Sequence, residues 1–268
     1  MRINTNLNAM IATNQMSKNT ALAGSSMEKL STGLRITKAG DDAAGLAVSE
    51  KMRAQIRGME QAERNVQDGI SMVQTAEGAL EEAGNIAQRM RELGVQAGND
   101  TLSDEDRTKV KEELKQLQDE MNKISEETKF NGKQLLNTAG TFTIQAGANS
   151  ETRTITTADL SSIANGLSTI TISSSSQAQS FVENVDKALT SINDARSALG
   201  AMQNRLEYTA NNLTTSTENL TAAESRIRDV DVAKEMVTLS KLNILNQASQ
   251  AMVSQAKQQP ESVSQLLR

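Results

Sequence analysis

Apolar residues recur at helical spacing along most of the chain, and the clearest run lies in its last third. Each member of this run follows the previous one after seven residues, without interruption. Helices with such a repeat pack side by side in left-handed coiled coils. The pattern therefore predicts a mainly α protein in which a long helix packs against partner helices along a rod seam. The seam residues are Val185, Ile192, Leu199, Leu206, Leu213, Leu220 and Ile227.

Two earlier stretches show a similar pattern. Apolar positions recur every three or four residues from Met52 to Met90, which predicts a helix over about residues 43–97, roughly 80 Å long at 1.5 Å per residue. A shorter run from Val110 to Ile124 predicts another helix, for which Ser103 is a suitable N-cap. We therefore expect a long antiparallel helical coiled-coil rod.

A small β element interrupts the helices over about residues 130–176. The Asn131-Gly132 pair is a strong signal for a tight turn. Residues 141–157 alternate threonine with apolar residues on both sides of "GANSE", which predicts a β-hairpin. Residues 168–180 predict a further strand followed by a serine-rich linker.

The two terminal arms differ from the middle of the chain. Residues 1–40 carry a net charge of +4, residues 229–268 are neutral, and residues 41–228 carry −9. Both arms are only weakly amphipathic, and helices this polar gain little by folding alone. We therefore hypothesise that the arms are marginally stable in the monomer and pack in a coiled coil when they meet other copies.

The stretch between the first two predicted helices reads as a joint. Gly33 suits a left-handed C-cap, Gly40 adds a flexible residue, and Asp41 or Asp42 can cap the next helix. The alternative is an anion-binding loop that uses Lys38, Gly40 and a helix N-terminus. Its spacing matches neither a P-loop nor a dinucleotide-binding fingerprint, and the two aspartates would repel a phosphate.

The composition leaves little room for catalysis. The chain of 268 residues has no His, Cys or Trp, so it lacks the usual general base, thiol chemistry and the commonest metal ligand. Asp229 and Asp231 lie two residues apart on a predicted helix and would not face each other. The methionines follow the apolar stripes, where core packing accounts for them. We therefore predict no enzyme activity, no cofactor and no metal.

The same composition bears on partners and location. The net charge of −5 argues against nucleic-acid binding, which needs a basic surface. No apolar run approaches the length of a membrane span or of a cleavable leader peptide, so these rules alone would keep the protein inside the cell.

Nine sequence blocks, in order, resemble those of bacterial flagellin. They cover essentially the whole chain, about residues 1–137 and 177–268, and are far more specific than any one motif. The chain is short for this family, so it resembles a minimal form without large outer domains. The blocks are "MRINTNL", "SMEKLSTGLRI", "AGDDAAGLAVSEKMRAQIRG", "QDGISMVQTAEGAL", "QRMRELGVQ", "FNGKQLLN", "LGAMQNRLEYTANNL", "NLTAAESRIRDVD" and "QLLR".

This resemblance implies a structural subunit that polymerises into the extracellular flagellar filament. It implies an inner coiled-coil assembly domain, residues 1–44 with 229–268, and a rod domain, residues 45–228. Gly33, Gly40, Asp41 and Asp42 then belong to the spoke between the two domains. It also implies export through the flagellar type III apparatus as an unfolded chain, which would place the protein outside the cell. The implied partners are further copies of itself, an export chaperone that binds the C-terminal arm, and the filament cap and hook-junction proteins.

The block "QRMRELGVQ" resembles the stretch that an animal innate immune receptor recognises in this family. The same residues are also suited to an axial contact between subunits, and we expect that contact to be their primary role. The patch consists of Gln88, Arg89, Leu93 and Gln96, with Glu113 on the neighbouring helix.

Two other functions remain open at this point. A hook–filament junction protein shares the terminal arms but not usually the full "LGAMQNRLEYTANNL" and "SRIRDVD" blocks. A helical coiled-coil interaction or adhesin module would explain the heptads but not the ordered blocks at both ends of the chain.

Overall fold

The computed structural model describes residues 6–168 and 172–266, with side chains up to residue 258. The chain forms two compact units, and both α2 and α5 contribute to each of them. Unit 1 comprises residues 1–54 and 219–268, and unit 2 comprises residues 55–218. Unit 1 is therefore about ten residues longer on each chain segment than the terminal domain expected from residues 1–44 and 229–268. The elements are α1 (Leu7–Thr32), α2 (Ala43–Ala97), α3 (Asp104–Glu127), β1 (Lys129–Phe130), β2 (Lys133–Gln134), β3 (Thr141–Gln145), β4 (Thr152–Thr156), α4 (Leu160–Gly166), α5 (Ser175–Arg228) and α6 (Val232–Leu266).

Unit 1 is built on α1 and α6, which run antiparallel. Several of the contacts between them are polar. Near one end, Asn6 Nδ2 donates to the carbonyl oxygen of Ala256. At the centre, Asn19 and Ser249 are both buried, and Asn19 Nδ2 lies 3.4 Å from Ser249 Oγ. A buried polar pair of this kind favours one register over others, at some cost in stability.

Unit 2 is built on the antiparallel packing of α2 against α5. The seam residues Leu199 and Leu206 of α5 are almost completely buried. Glycines of α2 allow close approach, because a Cβ atom on Gly94 would lie only 2.9 Å from Val182 Cγ2. Of the whole seam, Val185, Ile192, Leu199, Leu206 and Leu213 are buried in unit 2, whereas Leu220 and Ile227 are half-buried in unit 1.

The third long helix begins where its cap was predicted. Ser103 Oγ accepts from the backbone N–H of Asp106 at 3.2 Å, and three acidic residues occupy the first turn of α3, where they suit the positive end of the helix dipole. The short helix α4 was not predicted. It packs against α3, where Gln118 Nε2 lies 3.3 Å from the carbonyl oxygen of Ala164.

The predicted tight turn and the predicted β-hairpin are both present, and the mainly α fold with a small β element is confirmed. Asn131 and Gly132 have φ angles of 49° and 77° and join β1 to β2 in a tight turn, which needs two left-handed residues. Strands β3 and β4 form the antiparallel hairpin predicted over residues 141–157. The hairpin packs on α2, where a Cβ on Gly58 would lie 2.9 Å from Ala148 Cβ.

The serine-rich linker was placed wrongly. Helix α5 already begins at Ser175, and Gln177 Oε1 accepts from the backbone N–H of Ser173 at 3.0 Å. Ser174 Oγ accepts from the backbone N–H of Gln177. The serines therefore start a helix by capping it, which is what serine does at an N-terminus. The strand expected within residues 168–180 falls largely on residues 169–171, outside the described residues.

We predict that Leu199→Ala destabilises the protein by about 2–5 kcal/mol, because it leaves a cavity in a closely packed seam. Leu199 is 1% exposed. Urea unfolding followed by circular dichroism measures this loss.

The matched control for this prediction is Val95→Ala on α2, which truncates a side chain that is 58% exposed. We expect it to change the free energy of unfolding by less than about 0.5 kcal/mol. Equal effects of the two substitutions would contradict a buried α2–α5 seam.

Candidate assembly surfaces and their junction

The joint predicted between α1 and α2 has the expected local structure. Gly33 ends α1 in the left-handed conformation, with φ at 71°, and Asp42 caps α2 by accepting from the backbone N–H of Gly45 at 2.8 Å. The segment between them, which includes Gly40, is held by Asp41. Asp42 is therefore the capping residue of the two candidates.

The carboxylate of Asp41 accepts several hydrogen bonds from this loop. One carboxylate oxygen accepts from the backbone N–H groups of Lys38 and Thr37 and from the Thr37 hydroxyl, each at 3.1 Å. These bonds, those from the backbone of Lys38 first, lower the pKa of Asp41 below its ordinary value of 3.8, because they stabilise the charged form. A carboxylate of the protein thus occupies the donors that an anion-binding loop would offer.

The lysine of this loop, Lys38, is also paired with a carboxylate. Lys38 Nζ lies 2.7 Å from Glu28 Oε2, and hydrogen bonding to Glu28 raises the pKa of Lys38. The backbone N–H groups of Thr37 and Lys38 and the lysine that an anion-binding loop would use are therefore already engaged by carboxylates of the protein, and the geometry favours the joint.

The connection between α5 and α6 lies against this joint in unit 1. The backbone N–H of Val230 donates to the carbonyl oxygen of Gly33 at 3.0 Å, and Leu34 forms an isolated β-bridge with Asp229. Asp231 caps α6 through the N–H of Lys234 at 3.1 Å. The prediction that Asp229 and Asp231 lie on one helix was therefore wrong, because α5 ends at Arg228 and α6 begins at Val232.

A chain of ion pairs joins α2 to α5 in unit 1, and the sequence reading missed it. Arg228 is buried and donates to Glu50 Oε1 at 2.6 Å. Arg53 lies 3.8 Å from the same oxygen and 3.4 Å from Glu224. The four charges alternate in sign, so each one is stabilised by an opposite neighbour. The spacing within each helix, i and i+3 on α2 and i and i+4 on α5, places the charges on one face of each helix but does not indicate which charges pair between the helices.

The patch on α2 and α3 is mostly exposed, as an interaction surface requires. Arg89 lies 3.0 Å from Glu113 on α3 and 3.0 Å from Glu92 on its own helix. Hydrogen bonding to Glu113, and then to Glu92, raises the pKa of Arg89. Gln88 and Gln96 are exposed on the same helix.

Leu93 does not share that surface. Its side chain is 2% exposed and belongs to the core of unit 2, because it continues the buried stripe of α2 that includes Met90 and Ala97. Leu93 therefore packs in the core and is not accessible on the surface of the patch. The accessible residues of the patch are Gln88, Arg89, Gln96 and Glu113.

The exposed apolar side chains concentrate on the terminal arms. In unit 2 the described large apolar residues that are exposed are Val95 and Tyr208, whereas α1 and α6 together display eleven. Several line a shallow groove along α6 with Lys241 and Ser240. These residues on the arms are Leu7, Met10, Ile11, Leu22, Met27, Val232, Met236, Val237, Ile244, Leu245 and Met252.

Neither a metal site nor a membrane span emerges from the described part of the chain. Among the described side chains, those of residues 6–168 and 172–258, no three carboxylates come together in a way that could hold a metal ion. None of the helices in the same ranges combines the length and the apolarity that crossing a bilayer requires.

Comparison with known families matches two regions that together cover most of the chain. The family model of the bacterial flagellin N-terminal helical region matches residues 3–141. That of the bacterial flagellin C-terminal helical region matches residues 182–267.

Curated relatives match at full length. Flagellin of Halalkalibacterium halodurans is 54% identical over 272 residues, with 100% of both chains covered. Flagellin of Bacillus subtilis is 47% identical, and a flagellar filament 33 kDa core protein of Treponema phagedenis is 44% identical, both again with 100% of each chain covered.

Two solved structures resemble this one. The crystal structure of Bacillus cereus flagellin gives a TM-score of 0.51 at 35% identity and covers 60% of this chain and 94% of that chain. A flagellar hook-associated protein from Vibrio parahaemolyticus gives a TM-score of 0.57 and covers 70% of this chain and 100% of its own. Its identity is only 12%, so that likeness concerns the fold alone.

We predict that the Asp41 carboxyl titrates below pH 3.8 in the folded protein, because three donors stabilise its charged form. The stabilisation is then fully present above the ordinary pKa and is lost as the pH falls through the lowered one. Carboxyl carbon NMR across an acid titration measures the midpoint.

Thr37→Val provides the matched variant for this measurement. It removes the hydroxyl donor and keeps both backbone donors, so the pKa of Asp41 should rise only part of the way to 3.8. A wild-type midpoint at or above 3.8 would contradict the hydrogen bonding described for the joint.

Proposed function

The chain belongs to the bacterial flagellin family and is a structural, non-enzymatic subunit that polymerises into the flagellar filament, and from this premise we propose that its terminal arms are the assembly domain. The assembly domain comprises residues 1–44 and 229–268, and residues 45–228 form the helical rod domain. The seam from Val185 to Ile227 holds that rod together. The concentration of exposed apolar side chains on α1 and α6 carries this proposal.

The arms are built unlike the helices of an ordinary monomer. Asn19, Ser26 and Ser249 are buried, whereas Val237 and Ile244 are 70% and 62% exposed. Exposed apolar surface of this extent marks an interaction site in a soluble protein. A second copy is the occupant we propose, because the chain is a filament subunit and repeated heterologous contacts between copies generate an open helical array.

The joint at Gly33, Gly40, Asp41 and Asp42 is proposed as the spoke between the two domains. Its carboxylate-held loop and its backbone pairing with residues 229 and 230 support this role, because they fix the path of both chain connections at one place.

Export and partner binding are further proposals. We propose secretion through the flagellar type III apparatus, with a chaperone that covers the C-terminal arm until export. The exposed apolar residues of α6 support this idea, since such a surface needs cover before assembly. Filament cap and hook-junction proteins are proposed to meet the same arms at the two ends of the filament.

The patch of Gln88, Arg89, Gln96 and Glu113 is proposed to make axial contacts between copies. We also propose that an animal innate immune receptor recognises it in the free subunit. Its exposure and the ion pair that joins α2 to α3 support an interaction role. Leu93 contributes by packing beneath it.

We predict that Ile244→Asp, in the full chain, blocks polymerisation onto sheared filament seeds while the helix content of the monomer is unchanged. A charge on this surface would be buried without a partner at a copy–copy contact. Sedimentation and negative-stain electron microscopy measure assembly, and circular dichroism measures helix content.

Ile244→Val is the matched control, because it keeps an apolar side chain at the same position. It should assemble like the wild type. Normal filaments from Ile244→Asp would contradict a role for this face of α6 in assembly.

A further inference from the structure

The methionines of the chain differ in exposure between the two units. All five methionines of unit 2 are buried or half-buried. In unit 1, by contrast, four methionines are between 52% and 61% exposed. Every exposed methionine among the described residues therefore lies on one of the terminal arms. These four arm methionines are Met10 and Met27 on α1 and Met236 and Met252 on α6.

The arm methionines belong to the apolar surface that both arms display. Met10 and Ile11 lie one helical turn after Leu7, and all three are exposed. Met236 lies one turn after Val232, which is exposed as well. Residues three or four positions apart are neighbours on the surface of a helix. A second copy that covers the apolar surface of an arm therefore covers methionine sulfur atoms with it.

An exposed methionine can be oxidised to its sulfoxide. The thioether sulfur attacks one oxygen of hydrogen peroxide, an S–O bond forms and the O–O bond breaks. The second oxygen leaves as water with both hydrogens of the peroxide. The sulfur loses two electrons and the peroxide gains them. The product replaces a flexible apolar side chain by a polar one that accepts hydrogen bonds but has none to donate.

A sulfoxide on an arm has different consequences in the free subunit and in a polymer. In the free subunit the new oxygen remains in contact with water, so it loses no hydrogen bond. In a contact between copies it would be buried against apolar side chains, and a polar group buried without a partner is unfavourable. The methionines of unit 2 are shielded by their burial, so the rod domain keeps its packing. Oxidation of the arms therefore weakens assembly and leaves the fold of the rod unchanged.

From these observations we propose that the four arm methionines form an oxidation-sensitive switch, through which peroxides convert the free subunit into a form that does not polymerise. The proposal rests on the terminal arms being the assembly domain. The switch acts before assembly, because contacts between copies would cover the same sulfur atoms in the filament. The block is reversible, because methionine sulfoxide reductases return each sulfoxide epimer to methionine.

Oxidation of the purified full-length chain provides the first test. We expect hydrogen peroxide to add an oxygen to the arm methionines well before those of unit 2, as measured by peptide mass spectrometry. The oxidised subunits should then show a critical concentration for growth on untreated sheared seeds that is raised about tenfold or more. Incubation with both sulfoxide reductases and a thiol reductant should restore the original value.

Two results of this test would overturn the switch. One is normal growth from subunits in which all four arm methionines are oxidised. The other is a loss of growth that the reductases do not reverse although mass spectrometry shows the methionines restored. Both results leave the assembly role of the arms intact, and Ile244→Asp tests that role separately.

Substitution by leucine shows whether these four residues carry the effect. Leucine has a similar volume and no sulfur, so the quadruple variant should polymerise like the wild type and keep doing so after peroxide treatment. Its matched control carries Met59→Leu and Met72→Leu, which replace buried methionines of unit 2, and should lose assembly as the wild type does. Equal peroxide sensitivity of the quadruple variant and the wild type would contradict the proposal. The quadruple variant combines Met10→Leu, Met27→Leu, Met236→Leu and Met252→Leu.

Intact filaments provide the last test. At the same peroxide concentration, the arm methionines of filaments should be oxidised several-fold more slowly than those of free subunits. Oxidation at equal rates would show that the arms stay accessible in the polymer, and it would overturn the assembly role of the arms together with the switch. This outcome differs from growth of fully oxidised subunits, which removes the switch alone.

Discussion

The close packing of α2 on α5 is the contact on which the rest of unit 2 depends. The chain has three Phe, one Tyr and no Trp, so large aromatic side chains supply little of its burial. Instead, small residues of α2 face larger residues of α5. A Cβ on Gly94 would press against Phe181 and Val182, which shows how near the two helices come. Short distances make many weak dispersion contacts possible, and their sum replaces a few large aromatic ones.

Glycines of α2 also allow the β3–β4 hairpin to approach that helix closely. The hairpin reaches α2 at Gly58 and Gly69, and Asn65 Nδ2 donates to the carbonyl oxygen of Gln145 at 3.2 Å. A larger side chain at either glycine would move the hairpin outwards. The position of the hairpin is thus a consequence of small residues on a helix that lies about 80 residues earlier in the chain.

Local signals in the sequence were sufficient to predict most helices and turns, but not to predict which side chains are buried or which residues pair over long distances. The heptad run, the Ser103 cap and the Asn131-Gly132 turn each depend on neighbours within a few residues, and each was predicted. Leu93 was placed on a surface because its block resembles a recognition stretch, although its spacing from Met90 continues the buried stripe. Helix α4 has only seven residues, too few to show a period. The ion pair between Arg228 and Glu50 joins residues 178 positions apart, so one sequence alone could not identify it.

The arms of unit 1 differ from unit 2 in where their apolar and polar residues lie. In unit 2 most large apolar side chains are buried within the chain, and among its described residues only Val95 and Tyr208 are large, apolar and exposed. In α1 and α6 the polar pair of Asn19 and Ser249 lies inside, and much of the apolar surface lies outside. Such a helix pair is weak by itself, since buried polar contacts contribute little net stability. If the arms are the assembly domain, as proposed, their largest gain in burial comes when other copies cover the exposed apolar residues. The stability of the arms would then be coupled to polymerisation.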